Sequence, residues 1–591
     1  MVTGQVNPST TSGHTGTGPS AAPVTPQDMA TRRADGSAHS PRDRRMGALL
    51  TGILAAACVL TLLWPLARFI STTAAWLDYP YPRSGSEGLI LYETLLVRQG
   101  SHPYVPITPE QFISGPYPPV YYWLAAWVLP AHLPGFSEPY HVESFFRPGR
   151  VISLLAALVA AGLVVLLVVF DGGYDRMRMG RRAVWLAAMG GVMGGGLMLT
   201  LPQVMVWASR FRGDMLMVAL TAAGLTCIAF ARPNPRLFSA QSLALMLGAG
   251  FFSLAFFTKQ TALAGPIAAA AFLLLRDRKL GLRWCVLMGV MVVVPFVALD
   301  LLTGHWFYLK MVEYHSLPLR VLTLTRLVQM AFWEDQWPLI LIAAGYMLYR
   351  IGRLMGAGRT PWLAMVSKGP DRPALAGRAG HTSLLIPLFA LASFATLPTG
   401  AVVGADHNHL LMSGLAISAC VGALFARLLW KAGSGRSGPV HLAVAAVAAS
   451  LVVVYNLVTS APSSWYDADL LVPHPLVQEQ MRLIVHNVRQ HPATTFFSDD
   501  PGIIALAGKR TPYDDPFTMT ALALQNRWDE SAFRRMLRNG DFGLLVLSCD
   551  VINEPQGCRS DIFTPGVRDA IRDGYQLLFR DVFYTYAPRR E

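Results

Sequence analysis

The amino-acid sequence predicts an all-α polytopic membrane protein with about eleven transmembrane helices, followed by a small extracytoplasmic α/β domain. Three observations carry this expectation. The chain of 591 residues is 53% hydrophobic and only 14% charged, where soluble domains run at roughly 25% charged. Its mean hydropathy is +0.38. Apolar runs of spanning length recur along it, separated by basic loops. A soluble enzyme, a secreted disulfide scaffold and a disordered chain are excluded as the main body.

Residues 1–45 are rich in Ser, Thr, Gly and Pro and read as a disordered cytoplasmic tail. The tail ends in a basic cluster, Arg32 to Arg45, and the run Met46 to Trp64 follows as the first span. Further spans are expected near 150–170, 183–201, 214–231, 239–257, 261–275, 284–302, 337–354, 382–398, 409–430 and 440–460. With the N-terminus in the cytoplasm, the inner segments carry about 24 Lys and Arg and the outer loops about ten. This alternation treats the net charge of +13 as topology, with no nucleic-acid partner. It also lays the short aromatic segment Pro118–Leu129 along the outer membrane surface, since a span there would invert every later loop.

The expected organisation is therefore a tail (1–45), a transmembrane domain (46–460) with a large first outer loop (70–149), and an extracytoplasmic α/β domain (461–591). In the last, TTFFSDD reads as a strand, DPGIIALAG as a short helix, DESAFRRMLRNG as an amphipathic helix closed by Gly540, and DFGLLVLSCD as a strand. Cys58, Cys227, Cys285 and Cys420 lie in apolar runs, as packing residues do. Cys549 and Cys558 are nine apart and can pair in an oxidising compartment.

The sequence holds no P-loop, no dinucleotide-binding glycine motif, no HExxH and no metal-spaced Cys/His cluster. Candidate chemistry lies in outer polar segments. Glu87, in Ser84-Gly85-Ser86-Glu87, is a carboxylate able to deprotonate an acceptor, or else the closing residue of a helix capping box; Asp78 lies just upstream. Arg210 and Arg212, in Ser209–Asp214, suit a phosphate, or pair internally with Asp214. Lys259 and Gln260 form a tight outer turn against the inside bias, although a lone lysine there also snorkels. Asp406, His407, Asn408 and His409 suit a sugar- or phosphate-binding loop better than a metal site, which lacks third and fourth ligands. The loop 303–336 adds Lys310, Glu313, His315, Arg320, Arg326, Glu334 and Asp335 to the same face.

Several of these segments carry a resemblance. Ser86-Glu87-Gly88, Leu91-Tyr92, Arg98-Gln99-Gly100, Tyr104 and Tyr117-Pro118-Pro119-Val120-Tyr121-Tyr122-Trp123, then SRFRGDML, TKQTALAGP and Asn408-His409, resemble in order the GT-C glycosyltransferases. That family includes protein O-mannosyltransferases and the aminoarabinose transferase of lipid A. The likeness covers about 80–430, and the late 400s to 540 also resemble the outer C-terminal domain of some members. One departure stands out: many members carry Asp-Glu at the acidic motif, and here the Asp position is Ser86.

The resemblance implies an inverting transfer of sugar from a polyprenyl-phosphate donor to a glycan, lipid or protein acceptor at the outer face of a cell's inner or plasma membrane. Glu87, or Asp78, takes the role of base. Arg210, Arg212, Lys259 and Gln260 bind the donor phosphate. Tyr92, Tyr117, Tyr121, Asp406, His407, Asn408 and His409 line the substrate site. No cofactor or metal is expected. A lipid transporter or flippase and a non-catalytic membrane scaffold are the alternatives.

Overall fold

The computed structural model describes residues 41–129, 145–171, 176–231, 240–317, 321–329, 336–355, 384–402, 406–434, 438–460, 471, 473–558 and 562–589. The expected tail up to residue 40, most of the basic loop after Arg350, and Arg320, Glu334 and Asp335 lie outside these residues.

Helices occupy all eleven expected positions. They are α1 (Pro41–Asp78), then, after α2 (Gly85–Arg98) and α3 (Pro119–Val128), α4 (Phe146–Asp171) and α5 (Arg176–Thr200). The short α6 (Pro202–Trp207) leads to α7 (Asp214–Phe230), α8 (Ala240–Thr258), α9 (Ala264–Arg276) and α10 (Arg278–Leu302). A single π-helical turn, Leu309–Glu313, and α11 (Val321–Gln329) precede α12 (Trp337–Met355), α13 (Leu385–Ala395), α14 (Leu411–Gly433) and α15 (Pro439–Ser460). Among the described residues six segments are long and apolar enough to cross a membrane: Arg45–Asp78, Phe146–Asp171, Gly180–Thr200, Arg278–Leu302, His407–Gly433 and Pro439–Thr459. The other five are shorter apolar helices.

The bundle closes on small residues. A Cβ on Gly190 would stand 2.2 Å from Ala426 N, and one on Gly194 2.5 Å from Ser418 O, so this face of α5 meets the backbone of α14. One residue further round, Gly191 and Gly195 meet Val165 and Ala161 of α4 at 2.7 and 2.5 Å. The run GGVMGGG thus gives α5 two glycine faces, and close backbone approach replaces the hydrophobic drive that lipid cannot supply.

The C-terminal segment contains α16 (Pro475–Gln490), α17 (Pro501–Leu506), α18 (Pro516–Leu524), α19 (Ser531–Asn539) and α20 (Pro565–Gly574). Its four-stranded sheet has the order β1-β2-β4-β3. Strands β1 (Phe497–Ser498) and β2 (Leu545–Leu547) pair in parallel, and β4 (Tyr584–Pro588) pairs antiparallel with both β2 and β3 (Tyr575–Arg580). The four segments expected from sequence form β1, α17, α19 and β2, and Gly540 closes α19 at φ 70°. The hairpin β3–β4 is additional. Its first strand reads YQLLFR, without clean alternation, and leaves Leu578 and Phe579 exposed on the sheet edge.

This segment sits directly on the first loop. A Cβ on Gly88 would collide with Asp500 Oδ1 at 1.9 Å and Gly502 N at 2.7 Å, so α2 and the start of α17 touch backbone to backbone. Phe112 N donates to Pro512 O (2.8 Å), and Asp514 N donates to Phe112 O (3.1 Å). Tyr92 Oη donates to Thr511 O (2.8 Å).

Candidate active site

Three segments converge. Ser209–Gly213 leads into α7, Lys259 follows α8, and the turn His407–Leu410 leads into α14. The first is braced from behind. Ser153 Oγ lies 2.7 and 2.9 Å from the carbonyls of Arg210 and Arg212, and Phe211 N donates to Glu87 Oε1 (2.6 Å). Phe211 fits only because residue 149 is glycine, whose Cβ would stand 2.2 Å from its ring. The arginines before and after Phe211 both reach the Trp207 ring, at 4.5 and 4.9 Å.

Asp214 organises the cations. It accepts Arg212 Nε (3.2 Å), Asn408 Nδ2 (2.9 Å) and Lys259 Nζ. Arg212 also donates to Tyr117 Oη, and Lys259 Nζ lies 5.4 Å from the Tyr117 ring. Arg210 lies 3.5 Å from Asp406, whose other oxygen holds His407 Nδ1 at 2.6 Å. Three cations therefore meet two carboxylates at one place, leaving positive charge in surroundings that are almost dry: Arg210, Arg212 and Lys259 are 5–6% exposed. Two buried amide oxygens, Asn408 Oδ1 and Gln260 Oε1, have no donor among the described residues. Gln260 spends its amide nitrogen on Pro116 O (3.4 Å). It thus offers an acceptor here, where a donor to phosphate was expected.

Glu87 takes a different place from the expected one. Both oxygens are filled: Oε1 by Arg150 Nε (2.9 Å) and Phe211 N, Oε2 by Arg150 Nη2 (2.8 Å) and Arg83 N (2.7 Å). Burial pushes its carboxyl up, but the Arg150 charge and these donors outweigh it and hold it below the ordinary value. A carboxylate with four donors and no exposure has no lone pair for an acceptor hydroxyl. Nor is it a capping-box residue, because it bonds Arg83 N and Ser84 makes no side-chain cap. Asp78 stands apart, its side chain 74% exposed beside Arg147. Tyr92 and Tyr121, expected at substrate, are buried and spend their hydroxyls on Thr511 O and Gly149 O. Lys310 is buried behind the first loop, donating to Pro103 O and Ile113 O.

A second buried polar cluster was not anticipated. Glu93 Oε1 accepts Gly115 N (2.6 Å) and Ser114 Oγ (3.2 Å), while Oε2 accepts Tyr122 Oη. Asp514 accepts Ser114 N (2.9 Å). Burial pushes Glu93 up to about 7 and Asp514 well above its usual range, and lowers Lys310 to about 8. Among the described residues no group of three His, Cys, Asp or Glu is arranged to hold a metal.

The protein is thus a bundle of apolar helices with a basic, nearly dry polar site at one face. No protein-family model and no curated protein matches the chain. Solved structures do. ArnT from Cupriavidus metallidurans in the apo state aligns with a TM-score of 0.52 and 14% identity, over 90% of this chain and 97% of that one. The same protein bound to undecaprenyl phosphate gives 0.49 and 16% over 90% and 97%. An Archaeoglobus fulgidus oligosaccharyltransferase tethered with an acceptor peptide gives 0.46 and 12% over 89% and 74%. The first of these alignments establishes that the chain has the GT-C fold.

Proposed function

We propose that the protein is a membrane glycosyltransferase that moves a sugar from a polyprenyl-phosphate donor to a glycan, lipid or protein acceptor, inverting the anomeric centre. The observation that carries this reading is the convergence of Arg210, Arg212 and Lys259 with the unfilled amide oxygens of Asn408 and Gln260. The cations suit a leaving phosphate whose charge grows in the transition state, at a place where low dielectric strengthens each contact. The amide oxygens suit sugar hydroxyls. No metal is called for, since the leaving group is a phosphate monoester that these cations balance. The GT-C fold supports the same reading.

In this reading the first outer loop, the cation cluster and the domain 461–591 all face the extracytoplasmic side. The loop charges support that orientation, as does the Cys549–Cys558 disulfide. Glu87 is a positioning residue that holds the Arg210–Arg212 turn through Phe211 N.

The test uses the full-length protein in lipid nanodiscs. Undecaprenyl phosphate should quench Trp207 fluorescence saturably, and radiolabelled polyprenyl-phosphate sugars from host membranes should lose their sugar to an acceptor fraction. Translocation of intact donor without cleavage would establish a flippase instead.

A further inference from the structure

The proposed reaction needs a base for the acceptor, and most carboxylates around the cluster are already engaged. Glu87 is saturated. Asp214 is held by Lys259, Arg212 and Asn408. Asp406 is held by Arg210 and His407; although burial opposes it, these partners keep its carboxyl well below the usual range. Glu93 and Asp514 are sealed, at 0% and 1% exposure. Asp515 differs on both counts. It is partly exposed, and the groups that donate to it are neutral: Thr518 N (3.1 Å) and Thr518 Oγ1 (2.5 Å) of α18, the helix it caps, together with the Ser114 hydroxyl.

Its placement is rigid. Residues 511–514 run beside 112–114 through the Phe112 and Asp514 backbone bonds, and Ser114 N donates to Asp514 Oδ1 (2.9 Å). From that pairing one segment continues to Tyr117, whose hydroxyl meets Arg212, and the other to Asp515. Asp515 acts electrostatically on the Tyr117 hydroxyl and on His315, and Lys259 also acts on His315.

We infer that the C-terminal segment supplies Asp515 as the catalytic base that takes the acceptor's proton, an inference that rests on the transfer reaction proposed above. The acceptor oxygen forms its bond to the anomeric carbon as the bond from that carbon to the phosphate oxygen breaks. The bonding pair leaves on the phosphate, which gains one negative charge against Arg210, Arg212 and Lys259. The hydroxyl proton passes to the Asp515 carboxylate and returns to water after product leaves. Burial raises the Asp515 carboxyl above its ordinary value, the direction a base working near neutrality needs. The groups that act on it are Asp514, Tyr117, His315 and Ser114, besides Thr518 of the helix it caps.

Asp515→Asn tests this, because Asn caps a helix about as well as Asp. With radiolabelled native polyprenyl-phosphate sugars, turnover should fall by roughly 10²–10⁴-fold, while quenching by undecaprenyl phosphate and thermal stability stay at wild-type values. Asp515→Ser, which also caps but leaves space, should regain part of its turnover with added formate. Turnover in Asp515→Asn within a few-fold of wild type overturns the inference. So does a loss of lipid binding or stability in both variants, which would make Asp515 structural. A wild-type protein that neither binds undecaprenyl phosphate nor releases sugar sinks the transferase reading itself, a different result from either of these.

Discussion

Arg150 and Glu87 form a buried two-point ion pair, with Nε–Oε1 at 2.9 Å and Nη2–Oε2 at 2.8 Å, both side chains 0% exposed. The remaining guanidinium donors go to the carbonyls of Trp76, Tyr79 and Tyr81. All five N–H groups are therefore used, and they tie the end of α1, the following loop and α2 to α4.

This pair predicts that Glu87→Gln and Arg150→Met act on folding first. Removing one partner of a buried pair leaves the other charge uncompensated, at a cost of about 3–5 kcal/mol. The folded carboxyl lies below its unfolded value, so its stabilisation is present above the unfolded pKa and is lost as pH falls through the folded one. Thermal melting should show both variants destabilised near neutrality, with the gap to wild type closing in acid. A Glu87→Gln protein of normal stability but 10²-fold lower turnover would return Glu87 to the role of base.

Lys259 and Asp214 separate an ion pair from a phosphate site. Were the lysine only Asp214's partner, Lys259→Gln and Asp214→Asn would behave alike. A phosphate site predicts opposite signs. Lys259→Gln should weaken undecaprenyl phosphate binding by roughly 10- to 150-fold, the worth of one charge-assisted bond of about 1.5–3 kcal/mol. Asp214→Asn removes a competing anion and should leave affinity equal or higher. Equal losses in the two variants would dissolve the phosphate assignment.

The Glu93–Asp514–Lys310 cluster predicts a pH-dependent junction between the first loop and the C-terminal segment. Glu93 is raised from 4.5 to about 7 by burial, so the folded state holds a proton that the unfolded state has released. Its contribution is complete below about 4.5 and is lost as pH climbs toward 7. Lys310, lowered to about 8, adds the opposite slope only above that value. Melting temperature should therefore fall between pH 5 and 7, and Glu93→Gln should flatten that fall. An unchanged slope in Glu93→Gln would place the dependence elsewhere.

The helices, the cation cluster and half of the sheet were legible in the sequence because each leaves a local mark. Apolar runs mark helices, and arginines at the end of an apolar run stand against the topology bias. What stayed hidden depends on contacts across long stretches of chain. Arg150 reads as an ordinary basic residue heading a span, and nothing local joins it to a glutamate 63 residues earlier. Asp514-Asp515-Pro516 reads as a helix start, which Asp515 indeed is. Its approach to Tyr117 depends on pairing between segments 400 residues apart. Tyr92 and Tyr121 carried the expected residue types, but burial turned their hydroxyls into braces.

The disulfide bears on the orientation of the chain. Cys549 and Cys558 are bonded, with Cα atoms 5.2 Å apart and nine positions apart in sequence. Cys558 packs in the apolar core that includes Phe563 and Val551. A closed loop of this length contributes roughly 2–3 kcal/mol on the chain-entropy model, and the bond persists only in an oxidising compartment. The proposed topology places it there, so a phosphatase active only outside the cytoplasm should be active when fused after residue 591. Mass spectrometry of unreduced peptides from the same membranes should find the two cysteines joined. Cys549→Ser with Cys558→Ser should lower the melting temperature of the C-terminal segment while leaving undecaprenyl phosphate binding intact, because the proposed donor site is built from the segments before α7, after α8 and before α14. A silent phosphatase fusion together with free thiols would turn the protein over in the membrane, and the cation cluster would then face the cytoplasm.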